Sequence, residues 1–235
     1  MLRFTILFLF LLVFLTGINL FAYGRYGSPC LHEIHQQDTL FENQTLYNGR
    51  IWKNLYFLVQ DNQFLFSKEF LPGNLTISGK HFNVLLKYDI FKDEVLTPLD
   101  SGRILQLNKE LIDSFSLSFQ NKKYNFIKMK EDTLKGSKSF FNVLYNGKTT
   151  LLLKSAKKID KLSVEGKYDK FYHINSIYIV TGKKLYPVAG KGDLFKILQD
   201  DKIGMKNFMK TNKLRISERE PESFIPVIRF HDRNQ

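Results

Sequence analysis

Cysteine is all but missing from this chain: Cys30 is the single one in 235 residues. No internal disulfide can form, so the fold has to rest on its buried core. Tryptophan also occurs once, as Trp52, which leaves tyrosines to build any extended aromatic platform. The motifs that announce common chemistries are missing too. No Gly-x-Ser-x-Gly nucleophile elbow occurs, and Gly190-Lys191-Gly192 lacks the strand, loop and Lys-Ser/Thr context of a phosphate loop. Past residue 22 no apolar run approaches the roughly 20 residues a spanning helix needs. Together these absences argue against a multi-span helical membrane protein, a disulfide scaffold and the best-marked hydrolases and nucleotidases.

The long apolar run that is present stands at the start. Arg3 is followed by Phe4 through Leu15, interrupted only by Thr5, and then by Thr16-Gly17-Ile18-Asn19-Leu20-Phe21-Ala22. A short basic region, an apolar centre of about a dozen residues and a small residue at the end describe a secretory signal peptide, residues 1–22. Cleavage between Ala22 and Tyr23 is expected, a retained N-terminal anchor being the competing reading. With the signal removed, no transmembrane span is expected.

The chain carries 35 Lys and Arg against 23 Asp and Glu, a net charge of +12. Removal of residues 1–22 takes away one cation, Arg3, and leaves +11. The lysines are scattered, and the densest groups (Lys154-Ser155-Ala156-Lys157-Lys158 and Lys122-Lys123) fall at expected strand ends or turns, where solvation explains them. An exported address argues against nucleic acid as a partner and for an anionic envelope component or a protein. The 22 Phe and 11 Tyr supply ample surface for a folded core.

Residues 23–45 show no periodicity and read as an extended arm. Residues 46–190 alternate between short apolar runs and turn residues, the pattern of an antiparallel β domain with ten to twelve strands. Ser78-Gly79-Lys80, Phe91-Lys92-Asp93, Gln120 to Lys123 and Thr181 to Lys184 each join two such runs. Asn146-Gly147 joins Phe140–Tyr145 to Thr149–Leu153 and predicts a type I′ hairpin, with positive φ at both turn residues. The same dipeptide in Leu46-Tyr47-Asn48-Gly49 predicts a second hairpin of that kind. From residue 191 the period changes to that of helices. Asp193 is expected to cap a helix carrying Leu194, Ile197 and Leu198; Met205, Phe208 and Met209 form a second apolar stripe that reads as core. Glu218 to Phe230 can add a third helix, kinked at Pro226. The fold class is therefore mainly β with C-terminal helices: an antiparallel meander forming a sandwich or open barrel, with two or three short helices packed on it by residues 191–235.

Candidate chemistry is sparse. Cys30, His32 and His35 place a thiol and two imidazoles within six residues and are the candidate metal ligands, although His32 and His35 are spaced one residue too short for the helical two-histidine zinc motif. Asp93-Glu94, Asp200-Asp201 and Glu218/Glu220 are paired carboxylates at expected turns or helix ends, where solvation accounts for them. Tyr172, Tyr178 and Tyr186 fall in one hairpin region and read as half-buried strand residues. No catalytic residue and no cofactor is assigned.

The run Phe141-Asn142-Val143-Leu144-Tyr145-Asn146-Gly147-Lys148, then Leu151 to Lys154, Gly182 to Val188 and Leu194 to Leu198, resembles a group of secreted or periplasmic proteins from Bacteroidetes. The resemblance spans roughly residues 46–215 and continues into Lys206, Phe208 and Asn212-Lys213-Leu214. It implies a periplasmic or outer-membrane-associated address in a Gram-negative bacterium, with no activity to transfer. It also implies that Asp38-Thr39-Leu40 and Asp132-Thr133-Leu134 match the Asp-Thr-aliphatic pattern of O-glycosylation, at Thr39 and Thr133. The functional expectation is a non-catalytic envelope protein binding a protein or anionic partner. The alternatives are a periplasmic hydrolase acting on a glycan or lipid through dispersed carboxylates, and an extracytoplasmic metal-binding protein.

Overall fold

The computed structural model describes residues 45–129, 138–182, 184–199 and 202–234. Eleven strands form one open antiparallel sheet: β1 (Gly49–Ile51), β2 (Leu71–Ile77), β3 (Lys80–Asp89), β4 (Glu94–Pro98), β5 (Ile104–Leu107), β6 (Ile112–Phe119), β7 (Lys122–Lys128), β8 (Phe140–Asn146), β9 (Thr150–Val164), β10 (Tyr168–Thr181) and β11 (Lys184–Val188). Their order across the sheet is β1-β5-β4-β3-β2-β6-β7-β8-β9-β10-β11. Two meanders therefore run outward from a seam where β2 pairs with β6, and β1 closes the first meander by pairing with β5. The expected mainly-β architecture with short C-terminal helices is what the chain adopts.

The turns explain the register. Ser78 and Gly79 both have positive φ, as do Gln120 and Asn121, so the β2–β3 and β6–β7 hairpins are closed by two-residue turns whose twist matches the strands. Neither Asn-Gly dipeptide behaves that way. The β8–β9 connection pairs Asn146 with Thr150 across three residues, and neither Asn146 nor Gly147 has positive φ. Gly147 instead lies against Asp232, whose Oδ2 a Cβ there would meet at 2.4 Å and have to displace. Gly49 is not in a hairpin turn at all. It opens β1 opposite Leu107, where a Cβ would meet the Gln106 carbonyl oxygen at 2.1 Å.

Two apolar cores share the sheet. The first is built by the inward residues of β2 to β8, with Tyr88, Phe115, Phe126 and Phe140 at its centre; Phe115 and Phe126 stack at 4.6 Å between ring centroids. The second lies between β8–β11 and three helices: α1 (Lys191–Ile197), α2 (Lys202–Thr211) and α3 (Ile225–Asn234). Met205 and Met209 are buried in it, and Phe208 stacks on Phe230, so the stripe of α2 is core as expected. Gly190, not Asp193, is the N-cap of α1; Asp193 in the first turn accepts a hydrogen bond from the Ala189 N–H at 3.0 Å. A 3₁₀ turn over Pro221–Phe224 precedes α3, and Pro226 falls in the first turn of that helix, where its missing N–H costs nothing.

The lysine-rich segment Lys154–Lys158 is the middle of β9 rather than a strand end. Strands β9 and β10 run 15 and 14 residues, far beyond their neighbours, and the sheet curls until the Lys157 N–H donates to the Ile90 carbonyl at 3.2 Å. Lys157 is buried and Lys154 nearly so, which corrects the expectation that these lysines are solvated.

Candidate functional site

Alternation in three adjacent strands sets up the most chemically loaded surface. Tyr88, Val95, Leu105 and Leu107 point into the first core. Their neighbours Lys87, Asp89, Glu94, Leu96 and Gln106 point to the opposite face. The register lines these up: Asp89 faces Glu94 across β3–β4, Leu96 faces Gln106 across β4–β5, and Arg50 faces Gln106 across β1–β5. Segment 52–70 runs over this face. Gln63 and Phe64 are buried on it, and the Lys87 ammonium sits 4.6 Å from the centre of the Phe64 ring and 4.3 Å from that of Phe70. Burial lowers the pKa of Lys87, opposed by the charge of Glu69.

Between this segment and the strands lies an open cleft of about 480 Å³, lined among others by Arg50, Trp52, Tyr56, Asp89, Lys92 and Glu94. That volume is within the range of small-molecule sites. Lys92 lies over the Tyr56 and Phe91 rings, at 5.3 and 5.0 Å, and is itself exposed. Arg50 donates to Oε1 of Gln106 at 3.0 Å and meets Oε1 of Glu94 at 3.4 Å.

The two carboxylates of the cleft are already committed. Asp89 is fully buried; Oδ1 accepts the N–H groups of Phe91 and Lys92 at 3.0 and 2.9 Å, and Oδ2 accepts from Nε2 of Gln63 at 2.8 Å. It is the cap of the β3–β4 turn. Burial pushes its pKa up to about 6, the two backbone donors and Gln63 pulling the other way and Glu94 adding to the rise. Burial also raises Glu94, against Arg50, Lys92 and Lys109. A glycosidase pair needs two carboxyl groups facing each other across the substrate. Here they are cross-strand neighbours on one wall.

Asp93, expected to be a solvated turn residue, is instead the centre of a charge cluster at the β3–β4 turn. It has positive φ in the β3–β4 turn, a conformation Asp tolerates. Lys154 from β9 meets its Oδ1 at 2.8 Å, and Lys109 donates to its Oδ2 at 2.6 Å. The Tyr88 hydroxyl donates to the same carboxylate. Burial works against the ionised Asp93, but Lys154 and Lys109 outweigh it and hold the carboxyl below its usual range. Burial lowers Lys154, with Asp93 opposing. This cluster ties the first meander to β9.

The residues singled out from sequence fall elsewhere. Ala22, Tyr23, Cys30, His32, His35, Thr39 and Thr133 lie outside the described residues, as do Asp200 and Asp201. Among the described residues, no three His, Cys, Asp or Glu side chains converge as a metal site would require. No helix among them is long and apolar enough to cross a membrane. Tyr172 is exposed, and Tyr178 meets the Phe141 ring edge-on at 5.3 Å. Sequence reasoning did not find Arg50, Trp52, Gln63, Asp89 or Gln106. Period-2 alternation marks the outward members of each strand, but only the register brings them into one row. No family model matches the chain, and no curated protein or solved structure matches it.

Proposed function

We propose that the protein is exported and acts without catalysis as a binding protein for an anionic component of a Gram-negative cell envelope. The export address draws on the apolar run and small-residue end of residues 1–22, and the envelope on the resemblance of residues 46–215 to secreted Bacteroidetes proteins. The binding reading is carried by one observation. The cleft presents Arg50, Lys53 and Lys92 along a wall that also holds Trp52 and Tyr56, with Lys92 over the Tyr56 ring, while its carboxylates are held by the protein's own donors. Cations next to aromatic side chains suit a phosphate- or carboxylate-bearing ligand with an apolar or sugar portion. A net charge of +11 after removal of residues 1–22 steers such ligands from a distance.

Trp52 is the chain's one tryptophan and lines the cleft, so its emission reports occupancy directly. Titration with a soluble short-chain anionic phospholipid, dihexanoyl phosphatidylglycerol, is expected to shift that emission, and the zwitterionic choline counterpart is expected to leave it unchanged. Lys92→Glu should abolish the response. Equal responses to both lipids, or none to either, would end this reading.

The hydrolase alternative draws on the upward shifts of Asp89 and Glu94 in one cleft. It requires that glycoside or ester hydrolysis by the purified chain vanish in Glu94→Gln.

A further inference from the structure

Segment 54–60, beside the cleft, is an ordered loop that holds its largest apolar side chains outward. Leu55, Phe57 and Leu58 are 72, 74 and 77% exposed. The loop is not loose: the Tyr56 N–H donates to Oδ1 of Asn54 at 3.0 Å, and the Val59 N–H to the Tyr56 carbonyl at 3.1 Å. The Tyr56 ring is wedged edge-on against Phe91 and Phe171, at 4.9 and 6.0 Å. Gln60 is clamped on both sides of its backbone, donating to the Asp169 carbonyl at 2.9 Å and accepting from the Phe171 N–H at 3.1 Å. Anchoring Tyr56 inward leaves its neighbours no inward direction. The result is a fixed apolar knob, where chain entropy and water would both favour polar residues.

The surroundings of the knob are basic. Lys53 precedes it, Lys92 lies over the anchoring Tyr56 ring, and Lys170 bridges to Gln60 at the loop's end; all three are exposed. Further along the same β9–β10 arm, Lys158, Lys161 and Lys167 are exposed too. Asp61, Asp160, Glu165 and Asp169 are the acidic groups on these segments; Oδ1 of Asp169 already accepts the Leu162 N–H, and Asp61 lies 3.8 Å from Lys157. The arm itself carries exposed Leu162 and Tyr168 near its turn. Apolar side chains projecting from a lysine-rich surface match an anionic bilayer, whose acyl boundary takes the apolar groups while its headgroups meet the cations.

We propose that Leu55, Phe57 and Leu58 insert into the headgroup–acyl boundary of an anionic phospholipid bilayer, with Lys53, Lys92 and Lys170 meeting the lipid phosphates. The proposal rests on the anionic-ligand reading above and names the ligand as lipid in a membrane surface. The test uses the full chain with its tryptophan moved to the knob, Phe57→Trp with Trp52→Phe, so that the signal reports the loop and not residues 1–22. With vesicles of mixed phosphatidylglycerol and phosphatidylcholine brominated on the acyl chains, the knob tryptophan should be quenched. Quenching should fall sharply at about 0.5 M salt, and by at least about tenfold in apparent affinity when Leu55→Ser and Leu58→Ser are added.

Quenching as strong in pure phosphatidylcholine would overturn the proposal, because charge would then have no part. So would concentration-dependent self-association in the absence of lipid that Leu58→Ser abolishes, which would assign the knob to a second copy. If soluble dihexanoyl phosphatidylglycerol still shifts Trp52 in the unaltered chain but the knob is never quenched, the docking surface is wrong and the anionic cleft stands. If neither responds, both fall.

Discussion

A methyl group at Gly147 would lie 2.4 Å from Oδ2 of Asp232 and 2.6 Å from the Tyr145 hydroxyl. Both are ends of side chains and can move, so the clash itself is cheap. What moves with Asp232 is the cap on the buried Thr149 N–H, which that carboxylate holds at 3.0 and 3.2 Å. Gly147→Ala should therefore cost about 1–3 kcal/mol, the range for a buried donor left unsatisfied. Most of that cost should disappear when the same substitution is made in an Asp232→Ala background, as a double-mutant cycle by chemical denaturation would read. Asp89 makes a second residue-scale prediction. Its folded pKa of about 6 exceeds the ordinary value of 3.8, so its protonated form is favoured by folding. That contribution is fully present below about pH 4 and is lost as pH rises through 6. Asp89→Asn keeps an acceptor for Phe91 and Lys92 and lets Gln63 turn its amide. The difference in melting temperature between the variant and the parent should shift in favour of the variant between pH 4 and 7; a constant difference would contradict the assigned shift. At Asp93 the sign is opposite, because Lys109 and Lys154 depend on it. Asp93→Asn should cost about 3 kcal/mol by leaving two partly buried ammonium groups without their partner, and adding Lys154→Met should recover part of it.

Among the elements, the β9–β10 arm divides into two parts. From Thr150 to Lys157 its residues pack on the second core, through Leu151 and Leu153, or hold the first meander, through Lys154 and Lys157; beyond Asp160 nearly every side chain to Lys170 is exposed. Hydrogen exchange should find the outer amides opening far more readily than those of Leu151–Leu153, with protection rising again at Phe171, where Gln60 and Tyr56 hold the strand. Uniform protection along both strands would contradict this division. The elements themselves were largely legible. Ser78-Gly79 and the turn at Gln120-Asn121 carry their local chemistry openly, and the stripe of Met205 and Met209 needs only helical spacing to be read as core. The outer arm was not legible, because Lys157 to Val164 mixes charge and β-branched residues without a clean period. Nor was the reason for Gly147 and Gly49. Their spatial neighbours, Asp232 and Gln106, are 85 and 57 residues away in sequence, and a dipeptide that usually signals a turn gives no hint of a steric requirement set that far off.

At the scale of the whole molecule, one open sheet carries two cores on a basic chain, and its loaded surface is the outward row of β1, β3, β4 and β5 under segment 52–70. Each member of that row could be seen as an outward strand residue, yet the order β1-β5-β4-β3 that gathers them is a matter of long-range pairing. Segment 52–70 shows the same limit, since its Tyr56, Gln63 and Phe64 find partners on β3 and β10 that no local pattern reveals. The central claim is that this surface takes an anionic ligand by charge. It is tested most directly by the affinity of the full chain for dihexanoyl phosphatidylglycerol, followed by Trp52 emission at about 50 and about 500 mM salt, with Lys92→Glu alongside. The predicted result is binding that weakens steeply with salt in the parent and is lost in the variant. Affinity that ignores both the salt and the reversed charge would contradict it.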